Sequence, residues 1–293
     1  MTEYNRKEFA LFLGCTIPSR FPFIESASRK VLNALNIKLK ELPFGCCPDP
    51  NGVQSFNRET WLSLATRNLC LAEEEELDIL TFCNSCYETL KVVNSELQHS
   101  EELRKKINKN LTEVGREYKG TTHVRHIIQE LHNCRGQISK LVTRPLDKYR
   151  FAVHYGCHLL RPSGILQVDD PEQPVILDEL VEALRGNSVP YPKKGMCCGA
   201  GVYTSDLSTS IKIIREKFIE ISKAQVNAIV VCCPICYNMY ESGQALIKRD
   251  YKEIYGFNGN GIPIIYYTEL LAFALDLDMS EEFKQHRIKL AFS

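Results

Sequence analysis

Four short apolar runs set the rhythm of this chain. Residues 9–13 (FALFL), 77–82 (LDILTF), 151–155 (FAVHY) and 228–231 (AIVV) are rich in β-branched and aromatic side chains. They are shorter than ordinary helices and read as buried strands. A cysteine stands at or just beyond the end of each. Between them lie stretches with helix-like patterning at 25–35, 60–74, 87–97, 176–184, 207–225 and 238–248. Strand, cysteine loop and helix therefore alternate, which predicts an α/β fold with parallel strands. In such sheets sites form beyond the carboxyl ends of the strands, so the cysteine loops should gather along one edge.

The pattern runs twice. Cys15, Cys46-Cys47 and Cys83-Asn84-Ser85-Cys86 are followed by Cys157, Cys197-Cys198 and Cys233-Pro234-Ile235-Cys236. The gaps before the cysteine pairs are 30 and 39 residues, and those before the CxxC are 35 and 34. Residues 122–131 and 262–271 both read as strand running into helix. The expectation is two Rossmann-like halves with parallel sheets, related by a pseudo-twofold axis, over 1–140 and 150–293. The break falls near 136–149, where Arg144-Pro145 stops a helix. The charged segment 100–119 reads as a solvated helix with a loop, and the acidic run 73–76 as a solvated helix face.

Composition narrows the chemistry. Lys+Arg and Asp+Glu are both 36, so the net charge is zero and no broad basic field exists for nucleic acid. Residues 1–7 lack a signal-peptide shape, and no apolar stretch is long enough to span a membrane, which predicts a cytoplasmic protein. Thiols stay reduced there, so this cysteine pattern favours metal or redox chemistry over structural disulfides. Ten of the 13 cysteines belong to the repeat. Adjacent cysteines diverge in most backbone conformations and suit different metal atoms better than one ion. Zinc takes four ligands, and five per half leaves one over. A multinuclear iron–sulfur centre is favoured. Of the remaining thiols, Cys232, Cys70 and Cys134 read as small buried hydrophobes.

The order C…CC…CxxC, closed by Gly199 behind Cys197-Cys198, resembles the CCG-domain family, and two copies in this length resemble the B subunit of heterodisulfide reductase. The likeness covers nearly the whole chain, including Gly14-Cys15 and His154-Tyr155-Gly156-Cys157-His158; Pro48 departs from the usual glycine. The resemblance implies two noncubane [4Fe–4S] clusters. One would be bound by Cys15, Cys46, Cys47, Cys83 and Cys86, the other by Cys157, Cys197, Cys198, Cys233 and Cys236. It implies reduction of the mixed disulfide of coenzyme M and coenzyme B between the clusters. Partners would be the ferredoxin-like iron–sulfur C subunit, the flavin-bearing A subunit, and a hydrogenase or formate dehydrogenase as candidate associates. The chain itself has no ferredoxin cysteine run and no GxGxxG.

His154 and His158 flank Cys157; His154 is the candidate proton donor to a departing thiolate, against a plain loop-satisfying role. Arg20, Arg161, Lys193 and Lys194 lie near cysteine groups and are candidates for anionic coenzyme groups. Tyr155, Tyr266 and Tyr267 read as core or interface aromatics. Related CCG subunits in thiol:fumarate reductase, succinate dehydrogenase-like complexes and lactate or glycolate oxidation leave the substrate open. A zinc-stabilised interaction module and a thioredoxin-like dithiol enzyme are the readings that need no iron.

Overall fold

The computed structural model describes residues 8–50, 52–256 and 259–290. The expectation about a leader at residues 1–7 lies outside them. Strands β1 (Glu8–Phe12), β2 (Lys38–Glu41), β3 (Asp78–Thr81) and β4 (Val124–His126) form one sheet in the order β2-β1-β3-β4. Strands β5 (Arg150–His154), β6 (Asn187–Ser188), β7 (Ala228–Val231) and β8 (Ile264–Tyr266) form a second in the order β6-β5-β7-β8. Every pairing is parallel. The central strands β3 and β7 are buried along their whole length, as expected where helices cover both sheet faces.

Two strands have no apolar run to announce them. β2 is the edge sequence KLKE, whose charge guards an open edge, and β6 has only two residues. The long helices fall where the periodicity places them: Pro22–Ala34, Arg58–Glu74, Asn84–His99, Ile176–Ala183, Leu207–Lys223 and Pro234–Tyr251.

The halves interlock by exchange. The Pro22–Ala34 helix of the first half packs on Tyr267–Ala274 of the second, while Ile176–Ala183 packs on Ile127–Asn133 of the first. Each helix that follows the first strand of one half thus meets the helix that follows the last strand of the other. This reciprocity is what a pseudo-twofold arrangement requires. Polar bonds cross the same seam: Ser28 Oγ and Thr268 Oγ1 lie 2.9 Å apart, Lys30 pairs with Glu282, and the Tyr266 hydroxyl meets the carbonyls of Phe82 and Cys232.

In the acidic run Glu74, Glu75 and Glu76 are exposed as expected, and Glu73 alone departs from the solvated role. Glu73 is buried, and its carboxylate accepts the amides of Lys119 (2.8 Å) and Thr121 (2.7 Å), while Glu74 and Glu75 pair with Arg116 and Lys40. Buried backbone donors need partners, and a carboxylate in the last turn of a helix supplies two acceptors. Segment 100–119 holds the helix Glu101–Leu111, which buries Ile107 and Leu111 against the Arg58–Glu74 helix. Among the described residues no helix is long and apolar enough to cross a membrane.

Candidate functional site

The cysteines arrive from three kinds of position in each half. Just past β1 and β5, Gly14 (φ +69°) and Gly156 (φ +78°) turn the chain in the left-handed region. A Cβ on Gly14 would stand 2.6 Å from Cys86 Sγ, and one on Gly156 would stand 2.7 Å from Asn84 Nδ2 and 3.2 Å from Cys236 Sγ. Only glycine allows both the turn and the approach. Beyond β3 and β7, Cys83 and Cys233 are the N-caps of the helices Asn84–His99 and Pro234–Tyr251. Those helix N-termini offer amides and a positive dipole end to thiolates. The pairs Cys46-Cys47 and Cys197-Cys198 come from loops.

All ten repeat cysteines line a single cavity of ≈ 560 Å³ between the halves. Their thiols stand beside one another in a continuous file, each close enough to perturb its neighbours' titration. It runs Cys15, Cys46, Cys47, Cys86, Cys83 in the first half, crosses to Cys233, and continues through Cys236, Cys198, Cys197 and Cys157. Among the described residues no three such side chains converge as a single-ion site. Cys15 and Cys46 are exposed and Cys157 and Cys197 half-buried, while the other six are buried.

Sharing protons along the file polarises it. The bond from Cys46, helped by Cys86, draws the Cys47 thiol down to about 4, and the same bond pushes Cys46 up. Cys83 is lowered by its bonds from Cys233 and Cys86; Cys197 is lowered by Cys157 and Cys198. Metal ligation by cysteine requires the thiolate; Cys47, Cys83 and Cys197 are held low, whereas Cys46, Cys86, Cys157, Cys198, Cys233 and Cys236 are held up and would have to release protons to a metal. Sulfur-only donors in sets of five around one cavity fit iron–sulfur centres.

The flanking residues sort themselves by geometry. His158 lines the cavity, its Nδ1 3.0 Å from Ser85 Oγ of the other half. His154 does not line it; buried behind the file, it places Nε2 3.3 Å from Cys236 Sγ and Nδ1 2.9 Å from Lys217 Nζ. Burial, then the Lys217 charge, holds its pKa well below the ordinary value. The cavity wall contains no arginine or lysine among the described residues. Arg20 is exposed at the end of a short helix, Arg161 pairs with Glu172, and Lys193 pairs with Glu216. Lys194 pairs with Asp178 and sits 5.2 Å over the Tyr155 ring.

Cys232 is buried and donates to the Tyr155 carbonyl at 3.1 Å; Cys70 is buried and Cys134 only half-buried at a helix junction. Three further residues belong to the site without having been expected there. Asn84 and Ser85 stand inside the CxxC, and that position was itself a signal. Lys217 falls on the apolar stripe of Ile214, Phe218 and Ile221, where a lysine is out of place.

Comparison with known proteins agrees with this architecture. The cysteine-rich domain family CCG matches residues 9–91 and 151–241, and the chain belongs to that family. Within it the chain belongs with the B subunits of heterodisulfide reductase. It is 41% identical over 273 residues to the B subunit of the ferredoxin:CoB-CoM heterodisulfide reductase of Methanosarcina mazei, covering 92% of this chain and 89% of that one. It is 40% identical to the B subunit of the ferredoxin/F(420)H(2)-dependent CoB-CoM heterodisulfide reductase of Methanosarcina acetivorans, covering 94% and 91%. The 8-methylmenaquinol:fumarate reductase membrane anchor subunit of Wolinella succinogenes is 27% identical, covering 97% of both chains. The fold recurs in a hypothetical protein from Helicobacter pylori at a TM-score of 0.77 and 12% identity, over 98% of this chain and 53% of that one.

Proposed function

We propose that the chain is the catalytic component of a heterodisulfide reductase, reducing the coenzyme M–coenzyme B disulfide to two thiols within a multi-subunit complex. One observation carries the reading: both five-cysteine sets open into one cavity, so a disulfide there can meet both at once. The sets Cys15, Cys46, Cys47, Cys83, Cys86 and Cys157, Cys197, Cys198, Cys233, Cys236 would each hold a noncubane [4Fe–4S] cluster. When bound, the paired clusters supply the two electrons that disulfide reduction consumes.

The remaining steps belong to side chains. Two thiols leave where a disulfide entered, so two protons must arrive. His158, in the cavity wall and bonded to Ser85, is better placed to deliver one than His154. The sulfonate, phosphate and carboxylate groups of the coenzymes must find cations outside the sulfur chamber. Arg161 and Lys193 are held by exposed ion pairs that solvent screens, so a ligand recruits them at little cost. Arg20 is available at the surface, whereas Lys194 is committed to Asp178 and Tyr155. Electrons would come from the ferredoxin-like iron–sulfur and flavin-bearing partners of the complex.

Iron, acid-labile sulfide and zinc per chain, measured in anaerobically purified protein, test the reading, with EPR after thiol addition under oxidising conditions. The expected result is about eight irons per chain, following the family's two clusters, and turnover of the coenzyme disulfide in preference to fumarate or lactate. Zinc without sulfide, or turnover of fumarate alone, overturns it.

A further inference from the structure

The two sulfur pockets match in their cysteines and differ in what stands behind them. Three equivalent positions carry the difference. β1 ends in Phe12 and β5 in His154, each two residues before its glycine. Pro48 follows the first cysteine pair and Gly199 the second. On the helices capped by Asn57 and Asp206, the eleventh residue past the cap is Asn68 in one half and Lys217 in the other.

Asn68 and Lys217 do the same structural work with different charge. Asn68 is buried and clamps the loop of the first pair, accepting from Gly45 N–H (2.9 Å) and donating to the Cys46 carbonyl (3.0 Å). Lys217, 0% exposed, donates to the carbonyls of Met196 (2.6 Å) and Lys194 (3.2 Å) just ahead of Cys197-Cys198. Its third contact is His154 Nδ1 at 2.9 Å. An ammonium only donates, so Nδ1 accepts and the ring proton sits on Nε2. Nε2 therefore donates to Cys236 Sγ at 3.3 Å. Gly199 N–H donates to Cys197 Sγ, also at 3.3 Å. Phe12 has no side-chain N–H to give, and Pro48 has no amide hydrogen. Burial pulls the Lys217 pKa down to about 8, with the surrounding thiols opposing.

Hydrogen bonds to ligand sulfur and a nearby buried cation both favour the more negative, reduced state of an iron–sulfur centre. We propose that the two centres are built unequal: the second-half centre has the higher reduction potential and takes its electron first. The inference rests on the reading above that each half holds such a centre. Lys217 acts through His154 and the cysteine loop, as a positioning residue.

An EPR-monitored redox titration of the full chain in its complex tests this, with iron and sulfide measured in the same samples. The native protein should show two midpoint potentials. Cys157→Ser, which removes a second-half ligand, should abolish or alter the higher-potential signal. Lys217→Met and His154→Phe should each lower that potential alone, by about tenfold or more in the one-electron equilibrium, ~59 mV. Lys217→Arg, which keeps charge and donors, should stay near the native value. Coincident native potentials, shifts equal at both centres, or an arginine variant falling as far as methionine overturn the proposal. If Lys217→Met loses half its iron, His154→Phe decides, and an unmoved higher potential there overturns it. A native chain without iron and sulfide overturns the iron–sulfur reading itself; two loaded centres of equal potential overturn only the inequality.

Discussion

At the scale of single residues, the cysteines that line the cavity were legible because cysteine order is a one-dimensional signal: spacing alone picks out Cys233 over Cys232, and the structure has Cys233 in the cavity wall and Cys232 in the core. Side-chain direction is not one-dimensional. His154 and His158 look alike in sequence, yet β5 points one behind the sulfurs and the next turn points the other into the chamber. Glu73 defies its local charge pattern for the same reason, since its partners lie 46 and 48 residues away. Gly14 and Gly156 give the sharpest test at this scale. Alanine at either adds about 1–2 kcal/mol of left-handed strain, before any clash with the neighbouring side chain. Both substitutions should lower the unfolding midpoint and, on the proposed two-centre reading, reduce iron in one half only; unchanged stability would contradict the close approach described for them.

Among elements, the interior strands and long helices were readable because burial imposes a period, whereas β2 and β6 were not, because an edge strand needs no apolar run. The equivalent helices Arg58–Glu74 and Leu207–Lys223 begin at matched caps, with Asn57 accepting from Thr60 N–H (3.0 Å) and Asp206 from Thr209 N–H (2.9 Å). Asn57→Ala should cost about 1 kcal/mol in denaturant unfolding. A loss near zero would mean the first turn is held by its packing instead. The strand-to-helix joints after β4 and β8 are likewise matched: Gln129 accepts from His126 N–H and Glu269 from Tyr266 N–H, both at 3.0 Å. Residues that look unrelated, His126 and Tyr266, thus occupy the same joint, a kinship that composition conceals.

For the whole molecule, cohesion depends on the seam. Tyr266→Phe removes a buried hydroxyl that lies between a carbonyl of each half, and should cost about 1–2 kcal/mol by denaturant titration. A pH effect belongs to the same region. Buried His286 places Nδ1 3.0 Å from the Ile264 carbonyl and Nε2 2.7 Å from Glu269, a setting in which both nitrogens can donate. Burial opposes the imidazolium, but the Glu269 carboxylate outweighs it and the pKa is raised. The unfolded value is about 6.5, so this stabilisation is complete below it and fades as pH climbs through the raised folded value. Melting temperature should therefore fall over that alkaline-going range in the native protein and fall less in His286→Gln; parallel curves would refute the assignment. The reciprocal helix exchange has one more consequence. Because each half buries a helix of the other, peptide-bond cleavage within 142–149 would remove the covalent tether and leave the noncovalent clasp, so the nicked protein should elute in gel filtration as one particle rather than two.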